Sequence, residues 1–281
     1  MLTELHCHTN ISDNNFTTEE IIKKAAEKNI NILAITNHDT LSGLDEAIVL
    51  GEHYGITIIP GIEISAYDYI NRKRVHILGY NIDLNSQEIK NLCNPMVCDR
   101  HKASVKMVNK IIDLGYKISL EDVKKYSSKT GIFKQHIMKA LIDKGYTDNI
   151  YSSLYKELFH RGNGKVYVSL RYVDYRDAIK AIKNSGGICV LAHPGQMDNF
   201  SAIEEMVKVG LDGIEVYHPS HNKELEKESL SYAKKYNLVV TGGSDYHGFY
   251  SQHNYELGSK SLNKEDLFKF RLALGVLCEP W

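Results

Sequence analysis

The sequence predicts an α/β fold in which parallel strands close into a distorted (β/α) barrel. Short apolar, β-branched runs alternate with amphipathic stretches of helical period, and several of these runs end at a histidine or a carboxylate. A single long stretch of mostly helical sequence interrupts the alternation. One barrel of this kind commonly has the length of this 281-residue chain. An open doubly wound sheet is the alternative fold.

The first part of the chain predicts four strands. MLTEL is strand-like and HCH continues its alternation, so His6 and His8 should project from one face. Thr17 and Glu20 have the spacing of a capping box at the start of a helix. INILAIT, ITIIPGIEIS and RVHILGY are the next strand-like runs, and a turn near residues 71–73 joins the last two.

The middle of the chain predicts a helical insertion. Two amphipathic segments, RHKASVKMVNKIIDLGY and FKQHIMKALIDKGY, each end at Gly-Tyr, which is a C-cap signal. Strands alternating with helices then resume with GICVLAHP, GIEVY and LVVTGG. We therefore predict a barrel formed by residues 1–84 and 171–281, and a mostly helical cap over the substrate formed by residues 85–170.

Composition excludes several classes of protein. With 43% hydrophobic residues, 25% charged residues and a net charge of -1, the chain lacks the basic excess of a non-specific nucleic-acid binder. The amino terminus does not resemble a signal peptide and no run is long enough to span a bilayer, so we expect a cytoplasmic location with no membrane anchor. No obligate protein partner is evident. The odd number of cysteines and the lack of a CxxC pair argue against disulfides and thiolate zinc sites. The cysteines are Cys7, Cys93, Cys98, Cys189 and Cys278.

Histidines and carboxylates recur where the predicted strands end, and in a barrel those ends meet at one mouth. Each of these residues alone could have a structural role, but their repeated placement favours a shared site. Imidazoles and carboxylates without thiolates suit manganese, iron or zinc in a catalytic site. The number of candidates predicts two or three divalent ions, with Glu63 able to bridge two of them. The candidate ligands are His6, His8, Asp13, His38, Glu63, His76, His193, Asp245 and His247.

A family resemblance rests on six motifs in a fixed order: LHCHTNISD, AITNHDT, GIEIS, VHILGY, AHPG and GSDYHG. They resemble the motifs of the PHP (polymerase and histidinol phosphatase) family, and most closely its stand-alone branch of nucleotide phosphatases and 5'-3' exoribonucleases. The resemblance covers residues 1–80 and 186–250. It implies a metal-dependent phosphoesterase with a distorted, seven-stranded, TIM-like barrel, the (β/α)7 PHP fold, and a trinuclear metal centre.

The resemblance also implies how the ligands are shared among three ions. The three sets would be His6, His8, Glu63 and Asp245; Glu63, His76 and His193; and Asp13, His38 and His247. The sequence departs from the family pattern at Glu4, Asn14 and Asn37, where the family usually has aspartate, glycine and aspartate. None of these departures removes a ligand, but Asn37 is expected to change the charge around the metals.

The activity implied is hydrolysis of a phosphoester in a small phosphorylated metabolite by a metal-bridging hydroxide. The expected substrate is a nucleotide such as a 3',5'-bisphosphate, or the 5' end of a short oligonucleotide. Glu63 would act in catalysis as the bridging carboxylate, and Asp39 or His218 could assist proton transfer. Asp39 is equally reasonable as a helix N-cap and His218 as a surface loop residue, so the general acid is left open.

Substrate-binding residues are expected in the insertion, whose cations could bind phosphate. Most charged helix residues are solvated, so we expect only about two of the five candidates to contact substrate. Tyr116, Tyr146 and Tyr167 could stack on a base, although buried packing is the simpler role for each. The five cationic candidates are Arg100, Lys134, His136, Arg161 and Lys165.

Other functions remain open at this point. Cyclic phosphodiester or histidinol phosphate hydrolysis would keep the chain in the same family, although the AITNHDT form and the large insertion disfavour histidinol phosphate. Amidohydrolase-type hydrolysis of a C–N bond is a second enzyme class, because His-x-His after the first strand also opens those sites. Many of those enzymes use a bridging lysine where this chain has Glu63. A non-catalytic metal-binding module is disfavoured by the complete set of ligands.

Overall fold

One sheet of eight strands is the centre of the computed structural model, which describes residues 1–252 and 255–275. The strands are β1 (Leu2–Cys7), β2 (Ile30–Ile35), β3 (Thr57–Asp68), β4 (Lys73–Tyr80), β5 (Val173–Asp174), β6 (Ile188–Leu191), β7 (Gly213–Tyr217) and β8 (Val239–Gly242). The helices are α1 (Thr18–Glu27), α2 (Leu44–Tyr54), α3 (Gln87–Asp113), α4 (Leu120–Lys124), α5 (Lys134–Asp143), α6 (Ser153–Phe159), α7 (Tyr175–Asn184), α8 (Pro194–Met197), α9 (Ile203–Val209), α10 (Lys223–Tyr236) and α11 (Lys264–Ala273).

The sheet is mainly parallel, with the order β1-β2-β3-β4-β6-β7-β8 and with β5 paired to β3. β4 runs antiparallel to both of its neighbours, because a short turn returns the chain from β3. The α/β class is confirmed. In the described residues β1 and β8 share no ladder, and an isolated bridge joins Cys7 of β1 to Tyr246 in the loop after β8. A closed seven-stranded barrel therefore stays a prediction.

A buried carboxylate reinforces the contact between the first and last strands. Glu4 is fully buried on β1 and accepts four hydrogen bonds. The donors are the backbone N–H groups of His6, Ser244 and Gly258 and the hydroxyl of Ser244, at 2.5 to 3.1 Å. The backbone of Gly243 approaches so closely that a Cβ there would lie 2.4 Å from the nitrogen of His6. The Glu4 side chain thus adds to the backbone hydrogen bonds that join β1 to Tyr246 in the loop after β8.

Two separate hydrophobic cores underlie the strand-rich part and the insertion. The first surrounds the sheet and includes Ile62, Ile77 and Leu78. The second consists mostly of residues of the insertion, such as Met107 and Leu141, and Tyr250 joins it. The long helix α3 belongs to both, since Ile89 and Cys93 near its start pack in the first core. The change of packing therefore falls within α3, and the predicted domain boundaries stay a prediction.

Local signals in the sequence account for several helix ends. Thr17 and Glu20 form the predicted capping box at the start of α1, with reciprocal hydrogen bonds of 3.2 and 2.7 Å. The Gly-Tyr signals are also confirmed: Gly115 and Gly145 follow the ends of α3 and α5 with φ values of 92° and 77°. A left-handed backbone at these positions favours glycine, because a Cβ would clash.

The four cysteines in the described part of the chain are free, and Cys278 lies outside it. Among residues 1–252 and 255–275, every helix is too short or too polar to cross a bilayer.

Candidate metal centre

Six histidines and three carboxylates, distant in sequence, converge around Glu63 of β3. Glu63 Oε1 lies 2.7 Å from Nδ1 of His76 and 3.1 Å from Nε2 of His193. Three further imidazole nitrogens lie 3.2 to 3.3 Å from Oε2, and they are His6 Nε2, His8 Nε2 and His38 Nδ1. One buried carboxylate is thus surrounded by imidazoles from four strands or strand ends.

A second part of the cluster lies where β1 approaches the loop after β8. Asp245 Oδ1 is 3.2 Å from Nε2 of both His6 and His8, and 3.4 Å from Nδ1 of His247. Asp13 Oδ1 is 3.3 Å from His247 Nε2 and 3.7 Å from His8 Nδ1. The alternation of His-Cys-His therefore aims both imidazoles at the same carboxylates, as expected for a strand.

Among the described residues, three overlapping groups have ligand atoms close enough to share a metal ion. Within each group, these atoms all lie within 4.8 Å of one another. The first group has the composition that the resemblance implied. The other two differ slightly, because His8 joins the group of Asp13 and His38 stands with Glu63, while His193 contacts Glu63 directly. The groups are His6, His8, Glu63 and Asp245; His8, Asp13, His38 and His247; and His38, Glu63 and His76. The assignment of ligands to ions stays a prediction.

Unsatisfied polar atoms indicate that cations fit between these side chains. Five buried ligand atoms have no hydrogen-bond partner in the described part of the chain: His6 Nε2, His8 Nε2, Asp13 Oδ1, Glu63 Oε2 and Asp245 Oδ1. Buried polar atoms without partners are costly, and they belong to the residue types that bind divalent transition metals. The donor set therefore fits divalent metal ions, and the predicted number of two or three stays a prediction.

Charge interactions within the cluster favour the ionised carboxylates that metal binding requires. Burial alone would raise the pKa of Glu63, but His38, His76 and His6 outweigh burial and hold the pKa well below its usual range. Burial likewise opposes ionisation of Asp245, whose pKa is nevertheless held well below its usual range, chiefly by His6 and His247. Burial lowers the pKa of His38 to about 4, so this imidazole is neutral near pH 7 and can act as a ligand.

Three residues of the site have strained backbones at the ends of strands. Asp39, His193 and Asp245 have φ values of 59°, 25° and 49°. A left-handed conformation costs a residue other than glycine about 1–2 kcal/mol. Because the three follow β2, β6 and β8, this strain turns their side chains at the points where the strands end, as is common at functional sites.

Glu215 on β7 is a supporting residue that the sequence analysis missed. It is completely buried, its Oε1 lies 3.0 Å from Nδ1 of His6, and its Oε2 accepts the N–H of His193 at 2.8 Å. The contact with Nδ1 directs Nε2 of His6 toward Glu63, a typical arrangement for a metal-binding imidazole. The signal in the sequence was a single carboxylate within the otherwise apolar strand GIEVY.

Asn37 organises the loop that follows β1. Its Oδ1 accepts hydrogen bonds from the Thr9 N–H at 2.8 Å and the Ser12 hydroxyl at 2.9 Å, and its Nδ2 donates to the Thr9 hydroxyl at 3.0 Å. An amide can both donate and accept in this way, whereas an aspartate could only accept. The predicted effect of Asn37 on the charge near the metals stays a prediction, and the observed contacts are with the loop.

Asp39 is a structural anchor of the insertion. The N-cap interpretation is wrong, because α2 begins at Leu44 and its N-cap is Gly43. Asp39 Oδ1 accepts the Ser65 N–H at 2.7 Å, and Oδ2 accepts the Ser65 hydroxyl at 2.9 Å and forms an ion pair with Arg100 of α3. A catalytic role for Asp39 stays a prediction.

His218 is buried, so the surface-loop alternative is wrong. Its Nδ1 accepts the backbone N–H of Ser220 at 3.1 Å, and its Nε2 lies 3.6 Å from Asp245 Oδ2. Burial lowers its pKa, despite the opposing effect of Asp245. The neutral ring therefore has its proton on Nε2, since a backbone N–H can only donate to Nδ1.

A cavity of about 550 Å³ opens above the cluster, and the insertion provides much of its wall. Arg100 and Lys134 line it, together with Arg74 of β4, which the sequence analysis did not single out. Burial, together with the nearby charge of Arg74, lowers the pKa of Lys134 to about 8. Gln135 connects this wall to the centre, since its Nε2 donates to Asp13 Oδ2 at 3.4 Å.

The other predicted cations lie away from the cavity. His136 is buried with a pKa lowered to about 4 by burial, and its Nδ1 accepts the Phe133 N–H at 3.1 Å, so it cannot serve as a cation near pH 7. Lys165 pairs with Glu157 at 2.5 Å. Arg161 is exposed and lines a neighbouring cavity instead.

Two of the three tyrosines that were expected either to pack in the interior or to stack on a base contact one another. Tyr116 and Tyr146 contact one another, with ring centres 4.9 Å apart, and Tyr116 packs against the core of the insertion. Tyr116 is half-buried, whereas Tyr146 is 38% exposed, so the expected buried packing is wrong for Tyr146. Tyr167 lines the same neighbouring cavity as Arg161.

Comparisons with known proteins identify the class of protein and then the family. The chain is similar to enzymes named phosphodiesterase and phosphatase, and to a solved structure from Bifidobacterium adolescentis assigned as a metal-dependent phosphoesterase. That structure has a TM-score of 0.87 and 26% identity, and the match covers 96% of this chain and 95% of that one. The chain is thus a metal-dependent phosphoesterase. The profile of the PHP domain matches residues 4–240, and the chain belongs to the PHP family.

The sequence relatives act on different phosphoesters, according to their names. A phosphoribosyl 1,2-cyclic phosphate 1,2-diphosphodiesterase from Eggerthella lenta is 39% identical, over 88% of this chain and 95% of the relative. A 3',5'-nucleoside bisphosphate phosphatase from Chromobacterium violaceum is 28% identical, over 87% and 86%. The 5'-3' exoribonuclease Rnm of Escherichia coli is 26% identical, over 88% and 85%.

Replacing Glu63 with glutamine should remove bound metal and phosphoesterase activity together, because an amide cannot supply the charge that two neighbouring ions need. The fold should remain, since a neutral side chain removes a buried charge. Metal content per chain, phosphoester turnover and circular dichroism would be measured together. Glu204→Gln on the exposed surface of α9 is the matched control. Retained activity with full metal content would rule out the bridging role.

Catalytic efficiency should fall as the pH rises through about 8, the pKa of Lys134, because the protonated amine attracts phosphate and the neutral amine does not. The charge is present below this pH and is lost above it. In Lys134→Arg the decline near pH 8 should disappear, since arginine keeps its charge. The pH profile of kcat/KM measures both. An unchanged decline in Lys134→Arg would assign it to another group.

Proposed function

We propose that the protein hydrolyses a phosphoester in a nucleotide, with the candidate metal centre at the reacting phosphate. The observation that carries this proposal is the arrangement of charge across one cavity. Clustered imidazoles and carboxylates form its floor, and Arg74, Arg100 and Lys134 line the same space. A phosphate ester is an anion that can interact with both metal ions and cationic side chains, so this arrangement suits it.

The residues around Glu63 and Asp245 would hold two or three divalent ions, with manganese, iron and zinc all compatible with the ligand types. Such ions lower the pKa of coordinated water and neutralise charge on phosphate oxygens. In hydrolysis a bond from water oxygen to phosphorus forms, the ester P–O bond breaks, and the leaving oxygen takes up a proton.

His218 is the side chain best placed to interact with the leaving oxygen. It lines the cavity, its protonated Nε2 has no hydrogen-bond partner in the described residues, and it lies beside Asp245. A neutral imidazole can donate this hydrogen bond as negative charge develops on the leaving oxygen. Asp39, held by Arg100 and Ser65, acts instead by fixing the position of α3 against the strands.

The cationic wall and the nearby aromatic rings support a nucleotide as substrate. Tyr151, Tyr155 and Tyr172 line the cavity and offer rings to a base or a ribose. The similarity to a nucleoside bisphosphate phosphatase and to exoribonucleases agrees with this substrate class.

A cyclic phosphodiester of phosphoribose is the second candidate substrate. The specific observation in its favour is the 39% identity to the Eggerthella lenta diphosphodiesterase, over 95% of that relative. Such a substrate has two phosphate groups on one sugar. Metal ions held at the floor of the cavity would suit one phosphate, and the cationic side chains of its wall would suit the other.

A substrate screen would test the proposed function. Purified protein supplied with Mn²⁺, Fe²⁺ or Zn²⁺ should release phosphate or a mononucleotide from adenosine 3',5'-bisphosphate or a 5'-phosphorylated oligoribonucleotide. Phosphoribosyl 1,2-cyclic phosphate, histidinol phosphate and N-acyl amino acids form the comparison arms. Turnover of only the cyclic ester would establish the second candidate. Hydrolysis of only C–N bonds, or tight metal binding without turnover, would refute both candidates.

In His218→Asn, kcat should fall about 100-fold with little change in KM, because the variant loses a hydrogen bond made mainly in the transition state. Metal content should remain at the wild-type level, since this residue lies outside the three candidate ligand groups. His53→Asn on α2 is the control. A change confined to KM would assign His218 to substrate binding instead.

A further inference from the structure

A second cavity of about 400 Å³ adjoins the main one. The two share the lining residues Arg74, Leu170 and Tyr172, so they lie side by side. Its walls come from the hairpin of β3 and β4 and from residues 161–172 after α6. We call it the arginine–tyrosine groove, because Arg74, Arg161 and Arg171 and four tyrosines line it.

The groove has a concentrated positive charge. No acidic side chain lines it among the described residues, and none of its three arginines forms an ion pair with a described carboxylate. Arg176, only a few residues away, does pair with Asp174 at 3.3 Å, as surface arginines commonly do. Several unpaired guanidinium groups in one concave surface attract an anion, and arginine favours phosphate.

Tyrosine rings hold two of these guanidinium groups in place. Arg161 donates to the Tyr67 hydroxyl at 2.8 Å and its Cζ lies 5.2 Å from the centre of that ring. The Cζ of Arg74 lies 5.2 Å from the ring centre of Tyr172. These contacts orient the cations without neutralising them, so their charge remains available to a ligand.

One ring in the groove is also free to stack. Tyr69 is 47% exposed, and its hydroxyl donates to the carbonyl of Tyr172 at 2.7 Å, which fixes the ring beside the arginines. The rings of Tyr69 and Tyr67 make a T-shaped contact, with ring centres 5.0 Å apart. A cationic groove with an exposed aromatic ring is the arrangement that binds single-stranded nucleic acid, with phosphates on the cations and a base on the ring.

The size of the main cavity limits how much of a substrate it can enclose. At about 550 Å³ it falls within the range of sites that enclose a molecule as large as a single nucleotide. We propose that the arginine–tyrosine groove binds the next nucleotide of a short single-stranded oligonucleotide, with Arg161 and Arg171 at the phosphodiester and Tyr69 at the base. This inference rests on the nucleotide phosphoesterase proposed above.

Kinetics on substrates of increasing length would test the groove. Wild-type protein should have a higher kcat/KM for a 5'-phosphorylated diribonucleotide than for adenosine 3',5'-bisphosphate. In Arg161→Gln/Arg171→Gln the ratio of these two values should fall about tenfold or more, because charge-assisted contacts to the second nucleotide are lost. Lys110→Gln, which removes an exposed charge from α3, should keep the wild-type ratio.

Base stacking has its own variant. Tyr69→Ala should lower kcat/KM for the diribonucleotide, relative to adenosine 3',5'-bisphosphate, about tenfold. For an analogue that lacks the second base, kcat/KM relative to the bisphosphate should be the same in the variant as in wild type. Equal losses on both substrates would refute the stacking role. If the double arginine variant lost activity equally on the diribonucleotide and the bisphosphate, the groove would be a site for a second phosphate of a small molecule, and the oligonucleotide proposal would be overturned.

A direct measurement of binding tests the role of the groove independently of the proposed catalytic function. Calorimetric titration with a phosphorothioate diribonucleotide requires no turnover, and the double arginine variant should bind it about tenfold more weakly than wild type. Normal turnover of the bisphosphate with unchanged diribonucleotide binding in the variant would refute the groove alone. Absence of turnover on every phosphoester would refute the proposed function, while the titration would still decide the groove.

Discussion

The burial of the Glu63 carboxylate among imidazoles is the interaction on which the candidate metal centre depends. A carboxylate in this position is stable only with positive or hydrogen-bonding partners around it. Its backbone contributes as well, because its carbonyl accepts the Asp39 N–H at 2.9 Å and its N–H donates to Asn37 at 3.3 Å. One residue of β3 therefore sets both the charge of the centre and the path of the chain after β2.

Much of this centre could be predicted from sequence because strand periodicity and strand ends are local properties. The alternation of His6 and His8, and the carboxylate of GIEIS, needed no knowledge of distant contacts. The role of Glu215 could not be predicted in the same way, since a carboxylate in a short strand acquires meaning only when His6 and His193 are placed beside it. Arg74 was also missed, because its place in the cavity wall depends on residues of the insertion that are distant in sequence.

The α/β class of the fold could be predicted from the sequence, but whether the sheet closes into a barrel could not. Alternating strand and helix patterns indicate an α/β sheet, and the turn before β4 indicates a hairpin, but no local signal determines how the first and last strands meet. Burial was equally hard to infer for His218, because a histidine in the loop after β7 is typical of a surface position. Its environment comes from Asp245 and Ser220, the first of which is distant in sequence.

The link from β1 to the loop after β8 has a further consequence. Three hydrogen bonds from Ser244 and Gly258 to Glu4 and one isolated bridge join these two edges, in place of a continuous ladder among the described residues. The candidate ligands His6 and His8 lie on one side of this seam, and Asp245 and His247 lie on the other. An ion bound by ligands from both sides would hold β1 and the loop after β8 together. Loss of metal would then destabilise the contact between β1 and the loop after β8, because ligand binding and folding are thermodynamically linked.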